Sequence, residues 1–128
     1  MSTCESVCIG VSDYDAPEFS NESFPTARKE HRCYECQAVI PVGAKHSKVV
    51  GKWEGKLMTI RQCLPCNEIQ KTFSCGDGWL YGDLWEMWRD AQGFETLTVH
   101  DPCFRKLSLE SQTFLVNRWW KWKERQHK

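Results

Sequence analysis

Residues 31–40 read HRCYECQAVI and residues 63–67 read CLPCN. Each stretch holds two cysteines two residues apart, Cys33 with Cys36 and Cys63 with Cys66, and 26 residues separate the pairs. A C-x-x-C turn folds into a knuckle whose backbone amides point at its sulfurs and favour thiolate. Two knuckles then supply the four ligands of a closed tetrahedral zinc site. The separation exceeds the ~15–20 residues of the compact four-cysteine pattern but keeps its form. Four thiolates leave no coordination position for water, so the expected zinc is structural.

The residues around the knuckles fit such a site. IPVGAK (40–45) is a Pro/Gly turn leaving the first knuckle, and KHSKVVGKW (45–53) with KLMTIRQ (56–62) reads as two strands joined at Glu54-Gly55. After Cys66, CNEIQKTF places Ile69 and Phe73 four apart on one helical face. The expected fold is α+β: a small zinc-stabilised domain with a treble-clef or zinc-ribbon-like knuckle-hairpin-knuckle unit and two or three helices.

A chain of 128 residues is about one domain. Within it we distinguish an acidic N-terminal segment (1–25) carrying Cys4 and Cys8, the zinc-knuckle unit (28–75) and a Trp-rich helical part (76–128). No apolar run approaches the roughly 18 residues that span a bilayer, and MSTCESVCIGVSDYD lacks the features of a signal peptide. The expected location is a cytoplasm, with no membrane partner. There thiols stay reduced, and eight cysteines point to metal ligation rather than to disulfides.

Charge sums to zero but comes in blocks. Residues 1–25 carry five acids and no base, residues 26–75 nine bases against four acids, residues 76–101 six acids against one base, and residues 102–128 seven bases against two acids. Either the blocks pair with one another or they form an acidic and a basic face.

Cys4, Cys8, Cys75 and Cys103 remain. A second tetrahedral site built from them would tie the N-terminal segment to two distant loops, with His100 as an alternative ligand. The competing expectation is that some are small buried hydrophobes.

The second half is Trp-rich. From Asp83 the chain reads as a helix stopping at Gly93, with Leu84, Trp88 and Ala91 on one face and Trp85 off it, either covering the zinc unit or exposed as a partner anchor. In LSLESQTFLVNRWWKWKERQHK, Ser108 is the expected N-cap and Leu115, Trp119 and Trp122 form a core-facing stripe. Trp120 lies off that stripe among Arg118, Lys121, Lys123 and Arg125. Cations interleaved with an aromatic suit a phosphate-rich partner, and they also suit the negative end of any helix. Trp85, Trp120, Arg118, Lys121, Lys123 and Arg125 are the candidate partner-binding residues.

CLPCNEIQK resembles the end of HNH endonucleases. Those enzymes need a general-base His, usually beside an acid, and a further His or Asn for the catalytic metal. Between the knuckles this chain offers His46 alone, with no acid beside it, so His46 is expected on a strand surface and a degenerate HNH-like nuclease is the least favoured reading. G-x-S-x-G, a phosphate-binding Gly-Lys loop and H-E-x-x-H are absent from the sequence. No catalytic residue is assigned.

The motifs ARKEHRCYEC, GKWEGK, CLPC and LYGDLWE, with CESVC and YDAPEF before them and a Trp-rich tail after CFRKL, resemble a group of small proteins encoded by tailed phages and prophages of Gram-negative bacteria. The resemblance implies a zinc-binding protein made inside an infected bacterium. Phage genomes are compact, and a small non-enzymatic protein of this kind is expected to act by stoichiometric binding, here to a host macromolecular complex that it modulates. Anti-defence inhibitors such as anti-CRISPR proteins belong to this class. The alternative is a nucleic-acid-binding zinc-finger module in which residues 26–75 and the C-terminal helix share a basic face. A small-molecule substrate is not expected.

Overall fold

The computed structural model describes residues 7–9, 17–74 and 81–126. It is a mixed α+β chain whose two small sheets precede its five described helices in sequence. Strand β4 (His46–Trp53) turns back into β5 (Lys56–Cys63) through Glu54 and Gly55, with φ of 50° and 79°. Both turn residues occupy the left-handed region, the two-residue turn whose twist matches that of the strands, and Gly55 takes it without a Cβ penalty. The register runs from Trp53 opposite Lys56 to His46 opposite Cys63, which brings the start of β4 beside the second knuckle.

Strand β1 (Phe19–Ser23) adds to the outer edge of β4, giving the order β1-β4-β5. Nothing in FSNES announces it: all five residues are exposed, so the strand has no buried face to show as alternation. Strands β2 (His31–Arg32) and β3 (Val39–Ile40) pair antiparallel and bracket the first knuckle.

Helix α1 (Leu64–Phe73) begins in the second knuckle, with Cys63 as N-cap and Pro65 in its first turn, where a missing N–H costs nothing. Ile69 and Phe73 are fully buried, as their spacing predicts. Helix α2 (Leu84–Asp90) follows Asp83, buries Leu84 and Trp88, and ends at Asp90 rather than Gly93. Gln92 then takes a left-handed conformation, and Gly93 opens the short α3 (Gly93–Thr96). Gly93 is required there, since a Cβ would lie 2.2 Å from the Trp88 ring.

Helix α4 (Pro102–Lys106) is capped by Asp101, whose carboxylate accepts from the Cys103 amide at 2.8 Å. Helix α5 (Leu109–Gln126) starts at the expected cap: Ser108 Oγ accepts from the Ser111 amide. The described helices thus number five rather than two or three, because α3 and α4 span four and five residues, too short to carry a period.

The core joins the two halves. Val7 and Ile9 are 1% exposed beside Phe73, Leu84, Trp88, Phe104 and Leu115, and the Ile9 amide donates to the Phe73 carbonyl at 3.0 Å. Phe73 and Trp88 meet edge-on at 5.1 Å. Among the described residues no helix is long and apolar enough to cross a membrane.

Candidate metal centre

The four knuckle cysteines converge. Their sulfurs all lie within 4.8 Å of one another, and Cys36 Sγ and Cys63 Sγ are 3.8 Å apart. A metal–sulfur bond of about 2.3 Å in a regular tetrahedron sets the sulfurs about 3.8 Å apart, so the donor set has the dimensions of a tetrathiolate site. All four are free thiols. Cys33 and Cys66 are fully buried and Cys36 and Cys63 half-buried.

Local backbone prepares each sulfur. In the first knuckle the Cys33 amide donates to the Ala38 carbonyl and the Gln37 amide to the Cys33 carbonyl, both at 2.9 Å, with Gln37 left-handed at φ 64°. That turn aims the Cys36 amide at the Cys33 sulfur and the Ala38 amide at the Cys36 sulfur. In the second knuckle Cys63 and Cys66 occupy the N-cap and third position of α1, whose first turn holds no acid. The positive end of the helix therefore serves the sulfurs.

These contacts make the thiols acidic unequally. Hydrogen bonds from Cys36, Cys63 and Cys66 hold Cys33 far below the usual thiol range. Cys36 falls to about 7: the Cys33 thiolate opposes its ionisation, while the Cys63 and Cys66 thiols favour it. Cys63 and Cys66 are pushed up, chiefly by the charge forming on Cys33 and Cys36. A cluster that loses one proton readily and resists losing all four calls for a cation at its centre.

A polar network rings the cluster, and little in the sequence announces it. Glu35, inside the first knuckle and 8% exposed, accepts from the Gln62 amide at 2.8 Å, the Gly82 amide at 2.9 Å and the Leu84 amide at 3.0 Å. Burial pushes its carboxyl above the usual range, against those donors. Gln62, next to Cys63, also donates to Gln70 at 2.7 Å and accepts from Asn67, next to Cys66, at 3.1 Å. Asn67 donates to Glu22 on β1 at 2.9 Å, and Ser47 and Lys71 donate to the same carboxylate. The first knuckle is thereby tied to β5 and to the start of α2, and the second to β5 and to β1. Polar side chains beside ligand cysteines are the sole local signal for these residues.

Other expected site residues are placed differently. The expectation of ligation rather than disulfides fails at Cys8 and Cys103: both are disulfide-bonded, and an oxidised sulfur has no thiolate to give a second metal, while Cys4 and Cys75 lie outside the described residues. Cys103 is buried and His100 is exposed. His46, expected on a strand surface, is fully buried. Its pairing opposite Cys63 draws it beneath the knuckles, where Nε2 accepts from the Arg61 guanidinium at 2.8 Å and Nδ1 lies 3.3 Å from the Ala44 carbonyl.

The six partner-binding candidates divide between two surfaces. Trp85 is half-buried and lies beneath the Arg118 guanidinium, 3.9 Å from its ring centre. Burial pulls Arg118 down from the usual arginine range. Lys121 and Arg125 line the same cleft, with Trp122 and Phe94. Trp120, 54% exposed, instead edges an apolar groove of about 520 Å3 with Trp119 and Val99, and Lys123 lies over the Trp119 and Trp120 rings.

The first two charge blocks pair: Glu18 with Lys52, Glu22 with Lys71. In the third, Arg89 pairs with Glu86 and Asp90. Among the described residues the cations of α5 have no carboxylate partner.

No family model, curated protein or solved structure matches the chain. What the fold and site define is therefore the class alone: a small mixed α+β chain with a tetrathiolate group able to hold a metal ion.

Proposed function

We propose that this is a zinc-stabilised, non-enzymatic binding protein of phage type, acting in a bacterial cytoplasm by attaching its Trp-rich helical half to a host macromolecular complex. The observation that carries the reading is the closed set of four thiols with sulfurs mutually within 4.8 Å. Tetrahedral thiolate donors suit zinc, and a shell filled by the protein has no position for substrate. On this reading knuckle, hairpin, knuckle and α1 form a treble-clef-like unit, and the metal holds the scaffold on which α2 and α5 are displayed. The exposed Trp120 and the unpaired cations of α5 support a contact surface.

The nuclease reading fares worse. Arginine can only donate, so the His46 lone pair at Nε2 is already taken by Arg61, and the ring has no exposed surface from which to act as a base.

The test is affinity capture of the metal-loaded protein from nuclease-treated Gram-negative bacterial extract, beside Trp120→Ala. The expected result is one stoichiometric host partner, retained by the native chain and lost by the variant. Capture of no such partner overturns the reading.

A further inference from the structure

We propose that the cleft between α2, α3 and α5 binds a nucleotide unit, a planar base joined to a phosphate. The inference rests on the reading of the helical half as a contact surface and names the chemistry that surface takes. The cleft holds about 290 Å3 and is walled by Trp85, Phe94 and Trp122 together with Arg118, Lys121 and Arg125. That volume stands at the lower end of the ~300–1,000 Å3 of small-molecule sites, room for one nucleotide rather than an extended ligand.

The geometry follows from the period of α5. Arg118, Lys121, Trp122 and Arg125 recur at i, i+3, i+4 and i+7, so one face of the helix carries three cations and one aromatic. Across from it, Trp85 fixes the Arg118 guanidinium at 3.9 Å, and Phe94 stacks on Trp122 at 5.8 Å with 29° between planes. Arg118 is thus held in place before any ligand arrives, and its buried Nε has no acceptor among the described residues. A guanidinium carries five N–H donors, and an oxyanion is the acceptor it fits best.

The charge balance favours an anion. Of the other charged residues on the rim, Arg89 and Glu86 pair at 3.7 Å, which leaves Glu95 alone against three cations without carboxylate partners among the described residues. Cations alone would suit an acidic peptide equally well. Trp85 is covered by Arg118 and stacks on Phe94, whereas Trp122 meets Phe94 alone among the described rings and lines the cleft. This ring decides for a nucleotide, because a base offers a π-face to stack and a carboxylate does not.

The experiment uses the full-length, metal-loaded chain. Fluorescein-labelled dT12, UMP, AMP, inorganic phosphate and a polyglutamate peptide are titrated in 50 mM salt and upward, read by anisotropy for the labelled strand and by Trp fluorescence for all. The paired variant Lys121→Glu/Arg125→Glu alters two exposed side chains, and Arg118→Lys keeps the charge while losing the planar fork. Circular dichroism and metal content confirm that both fold.

The expected result is quenching by dT12, at least tenfold weaker binding in the charge-reversed variant, and a log–log salt slope of about −2 for three phosphate contacts on a single strand. Equal binding of UMP or AMP identifies a free nucleotide as the source; tighter binding of dT12 identifies a strand; either sustains the proposal. It is overturned if neither dT12 nor the mononucleotides bind, if polyglutamate binds as well as dT12, or if charge reversal leaves affinity unchanged. A protein that captures its host partner yet ignores every nucleotide loses this proposal and keeps the contact-surface reading.

Discussion

Replacing Glu35 by Ala tests whether the ring of polar contacts holds the knuckles to the helices. The carboxylate is the acceptor for three donors: the Leu84 amide, the Gly82 amide and the Gln62 side chain. Their losses differ. Leu84 is fully buried, so its amide is stranded at a cost of about 1–3 kcal/mol. Gly82 is exposed and reaches water, and Gln62 keeps Gln70 as a partner, so each of these loses under ~1 kcal/mol. Against this, removing a carboxyl that burial already disfavours returns part of its desolvation cost. The net expectation is about 2–4 kcal/mol, or roughly 8–15 °C in melting temperature at this length. Glu35→Gln keeps an oxygen for Leu84 and Gly82 and should cost about 1 kcal/mol.

The assay is denaturant unfolding at fixed excess zinc, with hydrogen exchange of the Gly82 and Leu84 amides reporting the site itself. The raised carboxyl also sets a sign with pH. The contribution of this titration is full below the ordinary value of 4.5 and declines as pH rises through the higher folded value, a decline that Glu35→Gln should lack. Melting of Glu35→Ala within 0.5 kcal/mol of native, or unchanged protection at Leu84, would refute the reasoning.

Three further outcomes follow from the same contacts. Gly93→Ala drives a methyl into the fully buried Trp88 ring, 2.2 Å from Cε2 and Nε1, and should destabilise by about 3 kcal/mol in urea melts; a neutral effect would mean that the α2–α3 junction yields easily. Phe73→Ala empties the point where α1 meets Trp88 and Ile9, and about 3–5 kcal/mol should be lost in the same measurement. Glu22 sits below its ordinary 4.5, with donors Lys71, Ser47 and Asn67 outweighing burial; its contribution is present above 4.5 and disappears as pH falls through the lower folded value, so Glu22→Gln should flatten the acid limb of stability against pH.

Much of the metal unit was legible because its signals are local. The repeated C-x-x-C spacing, the Glu54-Gly55 turn and the four-residue interval from Ile69 to Phe73 each state their geometry within a few residues. So does the Ser108 cap; of the stripe expected to face the core, Leu115 is buried, while Trp119 and Trp122 are half-buried and line the groove and the cleft. What stayed hidden depends on distance along the chain. Strand β1 has no buried face, Val7 and Ile9 enter the core from three described residues without a period, and Glu22 reaches Asn67 across 45 positions. His46 was misplaced for a related reason: its burial is decided by which residue β5 sets opposite it. The Trp85-Arg118 contact likewise joins two helices, and neither helix alone discloses it.

The central claim is that Cys33, Cys36, Cys63 and Cys66 together hold a structural zinc. Metal content and native mass, measured on protein purified without chelator and on Cys66→Ser, test it most directly. The account predicts a zinc in the native chain that is absent from the variant, with helical signal lost when a strong chelator strips it. A metal-free native chain whose four thiols all react with a thiol reagent while the fold persists would contradict it.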